Sequence, residues 1–143
     1  MNEGFPGPGG APPAGRLPVL RLGDVLLVTL QGDLHDSTAQ QLQEDLAETI
    51  VGSGATGVII DISGVEIVDS FLGRVLAEIA GQSGLLAART VVVGMRPAVA
   101  ITLVELGLTL PGMRTALNTE AAMEFLTGQT PSSRSGGLRR ETL

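Results

Sequence analysis

Val58-Ile59-Ile60-Asp61-Ile62 runs into Ser63-Gly64-Val65-Glu66-Ile67-Val68-Asp69 and then into Ser70-Phe71-Leu72-Gly73-Arg74. The first five residues are almost all apolar and four are β-branched. Such a run suits a strand buried on both faces of a sheet. The spacing then changes. Leu72, Val75, Leu76, Ile79 and Leu86 recur at steps that follow a helical period, so a helix is expected to start near Ser70. A buried strand feeding a helix through a short polar loop is half of a βαβ unit.

The same alternation extends to either side. Upstream, Leu17 to Leu22 and Val25 to Leu30 flank Gly23-Asp24, which reads as a two-residue hairpin. Asp36-Ser37-Thr38, with Gln40 three residues after Ser37, has capping-box spacing. Ala39, Leu42, Leu46 and Ile50 then form the stripe of an amphipathic helix of about four turns, closed by Gly52 and Gly54. Downstream, Val91-Val92-Val93 reads as another buried strand. Pro97 suits the first position of an apolar helix that Gly107 stops. That helix, even taken to Leu110, is too short to span a bilayer. Packing on the sheet or on another subunit is its expected role. Leu117 closes a short strand, and Asn118 or Thr119 caps a last helix with Met123, Phe125 and Leu126. The expected order is β-β-α-β-α-β-α-β-α, an α/β fold with a mixed, mostly parallel sheet of about five strands and about four helices.

The chain has 143 residues and a net charge of −6, a suitable size for one domain. Residues 1–16 hold five Gly and four Pro and are expected to be a disordered arm without the apolar run of a signal peptide. Residues 128–143, with Arg134, Arg139 and Arg140, read as a loose tail. Between them, residues 17–127 carry −8 and form the expected domain. All nine basic residues are Arg, and Cys, Trp and Tyr are absent. Thiolate and Schiff-base catalysis are therefore excluded, as are Cys-ligated metals and a P-loop lysine. The acidic balance is unlike that of a nucleic-acid binder. The lack of Cys fits a reducing, cytoplasmic compartment.

Two apparent motifs fail on context. Gly52-Ser53-Gly54-Ala55-Thr56-Gly57 matches G-x-G-x-x-G, but follows a helix and precedes a strand, the reverse of what dinucleotide binding requires. His35, beside Asp33 and Asp36, is a single imidazole near a helix start, too little for a metal site. Asp33, Asp36, Asp61, Glu66 and Asp69 could in principle pair for acid–base work, but their positions fit strand ends and helix caps. No catalytic residue, metal or cofactor is expected.

Ser70 admits two readings. As an N-cap its hydroxyl would accept a backbone N–H. As a modifiable hydroxyl it could carry a phosphate, adding about −1.5 to −2 charges and three acceptor oxygens. The helix N-terminus favours that charge, while Asp69 opposes it.

Ile60-Asp61-Ile62-Ser63 through Val68-Asp69-Ser70-Phe71, taken with Gly94-Met95-Arg96-Pro97-Ala98-Val99-Ala100-Ile101-Thr102-Leu103-Val104-Glu105-Leu106-Gly107, resembles the STAS domain family. Within that family the likeness is to the small kinase antagonists of bacterial stressosomes. It covers residues 17–126, nearly all of the expected domain. The resemblance implies a non-catalytic protein that co-assembles with larger STAS paralogues of the RsbR type. It implies that the unmodified form holds an RsbT-type serine kinase. That kinase phosphorylates a serine at the start of the second helix and leaves, and a cognate phosphatase resets the site. Ser70 matches that acceptor, and Asp69, Ser70, Phe71 and Arg74 are the expected partner interface. Ser63, Thr38 and Thr102 are further hydroxyls that could accept phosphate.

Two other classes stay open on the sequence: a structural shell subunit in which Ser70 only caps a helix, and a ligand-binding STAS module. The former would assemble, as a homo- or hetero-oligomer, without phosphate turnover. The latter would need a cavity, and no phosphate loop supports it.

Overall fold

A computed structural model describes residues 16–32, 34–108 and 113–128. Five strands and four helices follow the expected order: β1 (Leu20–Leu22), β2 (Val25–Gln31), α1 (Asp36–Ser53), β3 (Gly57–Gly64), α2 (Ser70–Leu85), β4 (Arg89–Val93), α3 (Pro97–Glu105), β5 (Met113–Ala116) and α4 (Thr119–Thr127). The sheet runs β1-β2-β3-β4-β5, with β1 antiparallel to β2 and every later pair parallel. Leu22 pairs with Val25, so Gly23-Asp24 is the two-residue turn, and Gly23 takes a φ of 63°.

Spatial order equals chain order from β2 to β5. Crossovers of one hand between successive neighbours all fall on the same side of a sheet. Residues of α1, α2 and α3 accordingly share one core with Leu26, Val28, Ile60, Ile62 and Val92. α4 follows the last strand, so no crossover constrains it. It covers the other face, where Ala122 and Leu126 meet Val25, Ile59, Val91 and Val93. β3 is buried on both faces as its composition requires, with Val58, Ile59, Ile60 and Ile62 inaccessible to solvent. Each such side chain contributes about 1.5–3 kcal/mol by burial.

Two boundaries differ from expectation. α1 starts at Asp36 with His35 as N-cap and no side-chain cap bond, so Ser37 and Gln40 do not close a capping box. Starting at Asp36 puts Ser37 inside the first turn, where its hydroxyl is no longer at the cap position, and the Asp36 carboxylate complements the helix dipole instead. α3 ends at Glu105. Gly107, at φ 74°, turns the chain so that its N–H donates to the Val104 carbonyl and the Leu108 N–H to the Leu103 carbonyl. Leu110, the far limit expected for this helix, lies outside the described residues. The second difference is the cap of α2, described below.

Arg16, the last residue of the expected arm, donates from Nε and Nη2 to the Asp45 carboxylate at 3.0 and 2.7 Å. The rest of that arm, the tail beyond Gly128 and Asp33 lie outside the described residues. Among those described, no helix is long and apolar enough to cross a membrane.

Candidate functional site

The site is the loop where β3 hands over to α2. Val65 and Val68 anchor this loop in the core, at 0% and 5% exposure. Their three-residue spacing turns Ile67 outward, to 83% exposure. The Val65 N–H donates to the Ile62 carbonyl at 2.9 Å, which bends the chain off the strand end.

Asp69, not Ser70, is the N-cap of α2. Its backbone is extended and its Oδ1 accepts the Leu72 N–H at 3.0 Å. The Asp69 carbonyl accepts the Gly73 N–H at 3.2 Å. The N-cap reading of Ser70 is thereby corrected. An N-cap needs extended backbone ahead of the first helical residue, and Asp69 holds that place with a carboxylate that accepts better than a hydroxyl. Ser70 is the first helical residue and is exposed.

Phe71 is half-buried and packs on the main core, which fixes the first turn of α2. Arg74, one turn after Ser70, is exposed, with its Cζ 5.6 Å from the Phe71 ring centroid. Two shallow concavities meet at Phe71. One, of about 370 Å³, lies between this loop and the β2–α1 loop, walled by Leu34, Glu66, Ile67, Asp69 and Phe71. The other, of about 220 Å³, lies between α1 and α2, with Gln40, Gln43, Arg74 and Glu78 along it. Gln43 Nε2 donates to Glu78 Oε1 at 3.0 Å, and Gln82 Nε2 to the Gln43 carbonyl at 2.7 Å, so the second wall is braced.

Of the four residues expected at a partner interface, Asp69, Phe71 and Arg74 border these concavities, and Ser70 is exposed between Asp69 and Phe71 in the chain. The concavities also take in Ile67, Leu34 and residues of α1, which the sequence did not single out. Ile67 had a signal: it is an apolar residue between two others whose spacing sends them inward. The α1 residues had none, because they are remote in the chain.

The other hydroxyls stand apart. Thr38 is buried, and Thr102 Oγ1 donates to the Ala98 carbonyl at 3.0 Å. Ser63 is exposed at the end of β3, and its N–H donates to Asp61 Oδ1 at 2.9 Å. Arg96 Nε donates to the Ser63 carbonyl at 3.0 Å, tying the start of α3 to the same strand end. Gly94, at φ 75°, passes so close that a Cβ there would lie 2.8 Å from the Ser63 Cβ. Among the described residues no cluster of three or more His, Asp or Glu side chains could hold a metal ion.

The STAS domain model matches residues 16–122. The chain belongs to the STAS domain family. It is similar to a solved serine-to-glutamate variant of RsbS from Moorella thermoacetica, 42% identical over 78% of this chain and 95% of that one, with a TM-score of 0.69. A chain from the molecular architecture of the stressosome, a signal integration and transduction hub, is 44% identical over 78% of this chain and 96% of that one, with a TM-score of 0.69. Among curated proteins, the RsbT co-antagonist protein RsbRA of Bacillus subtilis is 29% identical over 61% of this chain. The match covers 32% of RsbRA, so this STAS chain spans about a third of that relative's length.

Proposed function

We propose that this STAS protein is a non-catalytic, cytoplasmic antagonist in a stressosome-type particle, and that it switches partners through phosphorylation of Ser70. Unmodified, it sequesters an RsbT-type serine kinase. Phosphorylated, it releases it. The larger subunits of the particle are RsbR-type STAS proteins, and a cognate phosphatase restores the hydroxyl.

The observation that carries this reading is the division of labour between Asp69 and Ser70. Asp69 holds the cap bond, and Ser70 is exposed at the head of α2 with no side-chain hydrogen bond among the described residues. The hydroxyl can be modified without dismantling the helix. The likeness to RsbS, over nearly the whole length of that relative, supports the choice of antagonist.

The mechanism follows from electrostatics. The kinase docks on Ile67, Phe71 and Arg74, a mixed apolar and polar surface around an uncharged Ser70. A phosphate there carries about −1.5 to −2 charges beside Asp69 and Glu66. Burying that hydrated dianion against a partner costs several kcal/mol. A loss of about 4 kcal/mol weakens binding roughly a thousandfold.

The test is intact mass and site mapping after incubation with the RsbT-type kinase, its RsbR-type partner and Mg-ATP. One phosphate at Ser70, and kinase retained by Ser70→Ala, is the expected result. An active kinase that leaves Ser70 unmodified would return the residue to a purely structural shell subunit.

A further inference from the structure

The end of the sheet opposite Ser70 carries a second constellation. Arg89 opens β4, and Arg114 is the second residue of β5. Val91 pairs with Arg114, so the two arginines project from neighbouring strands on the same face, two residues apart in register. Both guanidinia lie over the ring of Phe125 from α4, with Cζ 4.7 Å and 4.3 Å from its centroid. Phe125 is one of only three aromatic residues in the chain. A concavity of about 300 Å³ opens between Arg89, Met113, Arg114 and Phe125.

We propose that Arg89 and Arg114 form a binding site for a phosphoryl group. Stacking on one ring holds both forks in place before any ligand arrives, which lowers the ordering cost of binding. Arg89 Nη2 donates to the Leu126 carbonyl at 3.1 Å, fixing its direction further. Among the described residues, most of its five N–H donors and those of Arg114 have no hydrogen-bond partner. Among the described residues the ion pair within 4.0 Å is that of Arg16 with Asp45, so neither guanidinium here is matched by a described carboxylate. Both arginines border the same concavity, so an anion in it meets two positive charges. Glu124 and the carbonyl end of α4 oppose an anion, and the Arg89 bond to Leu126 offsets part of the latter. A phosphoryl group suits two planar forks because it offers several acceptor oxygens at once. This site is independent of Ser70 and of any kinase.

The experiment is an amide NMR titration of the full chain with inorganic pyrophosphate at low salt, repeated with inorganic phosphate and with ADP. Saturable shifts confined to the starts of β4 and β5 and the end of α4 are expected. Arg89→Gln and Arg114→Gln should each weaken binding about tenfold or more, Arg114→Lys less, and Arg74→Gln not at all. Tighter binding of ADP than of pyrophosphate identifies a phosphorylated small molecule as the ligand, and equal binding identifies free phosphate. Shifts that do not saturate, shifts centred elsewhere, or equal affinity of the Arg114→Lys and Arg74→Gln proteins overturn the proposal.

Discussion

The Asp69 carboxylate accepts the Leu72 backbone N–H at 3.0 Å, and that bond separates the capping of α2 from the chemistry of the residue between them. Asp69→Ala should therefore lower unfolding stability by about 0.5–2 kcal/mol, with Asp69→Asn close to wild type. Urea denaturation measures both. Equal stability of all three proteins would mean that the cap bond contributes nothing.

Ser70→Ala should leave stability within about 0.5 kcal/mol of wild type, because an exposed first-turn residue that is not the cap gives up little. A loss as large as that of Asp69→Ala would show that the hydroxyl has a structural duty. The same denaturation series decides between these outcomes before any kinase is added.

Phe71→Ala and Ile67→Ala should part company. Phe71 packs on the core and borders both concavities, so its truncation should weaken both folding and kinase binding. Ile67 is exposed, so its truncation should weaken kinase binding, by about tenfold or more, at nearly unchanged stability. Calorimetric titration with the kinase, beside thermal melts, reads both effects. Wild-type affinity in Ile67→Ala would remove that loop from the docking surface.

Gly94→Ala should destabilise the protein by about 1–3 kcal/mol. The φ of 75° disfavours any side chain, and the new Cβ would meet Ser63 and Asp61. An unchanged melting temperature would mean that the β4–α3 turn relaxes without cost.

Arg16 lends stability that depends on pH. Its hydrogen bond holds the Asp45 carboxyl below the usual carboxylate range; partial burial acts the other way, and Gln41 adds a second donor. A depressed native value means that the contribution is present above the unfolded-state value and is lost as pH falls through the native one. The melting temperature of Arg16→Ala should thus lie slightly below wild type near neutrality, and the difference should shrink towards zero in acid. A difference that grows in acid would have the wrong sign for this pair. Its exposure keeps the effect small.

The succession of strands and helices was legible because burial leaves a periodic mark. Ile59 and Ile60, on opposite faces of β3, could both be apolar only if both faces were covered. Leu72, Val75, Leu76 and Ile79 could recur as they do only on one face of a helix. Pro97 and Gly107 marked the limits of α3, since one has its φ set for a helix start and the other adopts a left-handed turn. Capping was less legible. Asp69 and Ser70 are both good cap residues, and a shift of one position decides which carbonyl and which N–H meet.

The amino-acid sequence by itself determined the α/β alternation, the buried β3, the Gly23-Asp24 hairpin and the surface segment around Ser70. Each depends on neighbours a few residues apart. Only the tertiary structure decided that α1 supplies a wall beside Arg74, and that α4 crosses to the other face and brings Phe125 under Arg89 and Arg114. Those relationships join residues whose separation in the chain has no period. They are set by sheet order and by the packing of whole elements, which leave no local pattern in a single sequence.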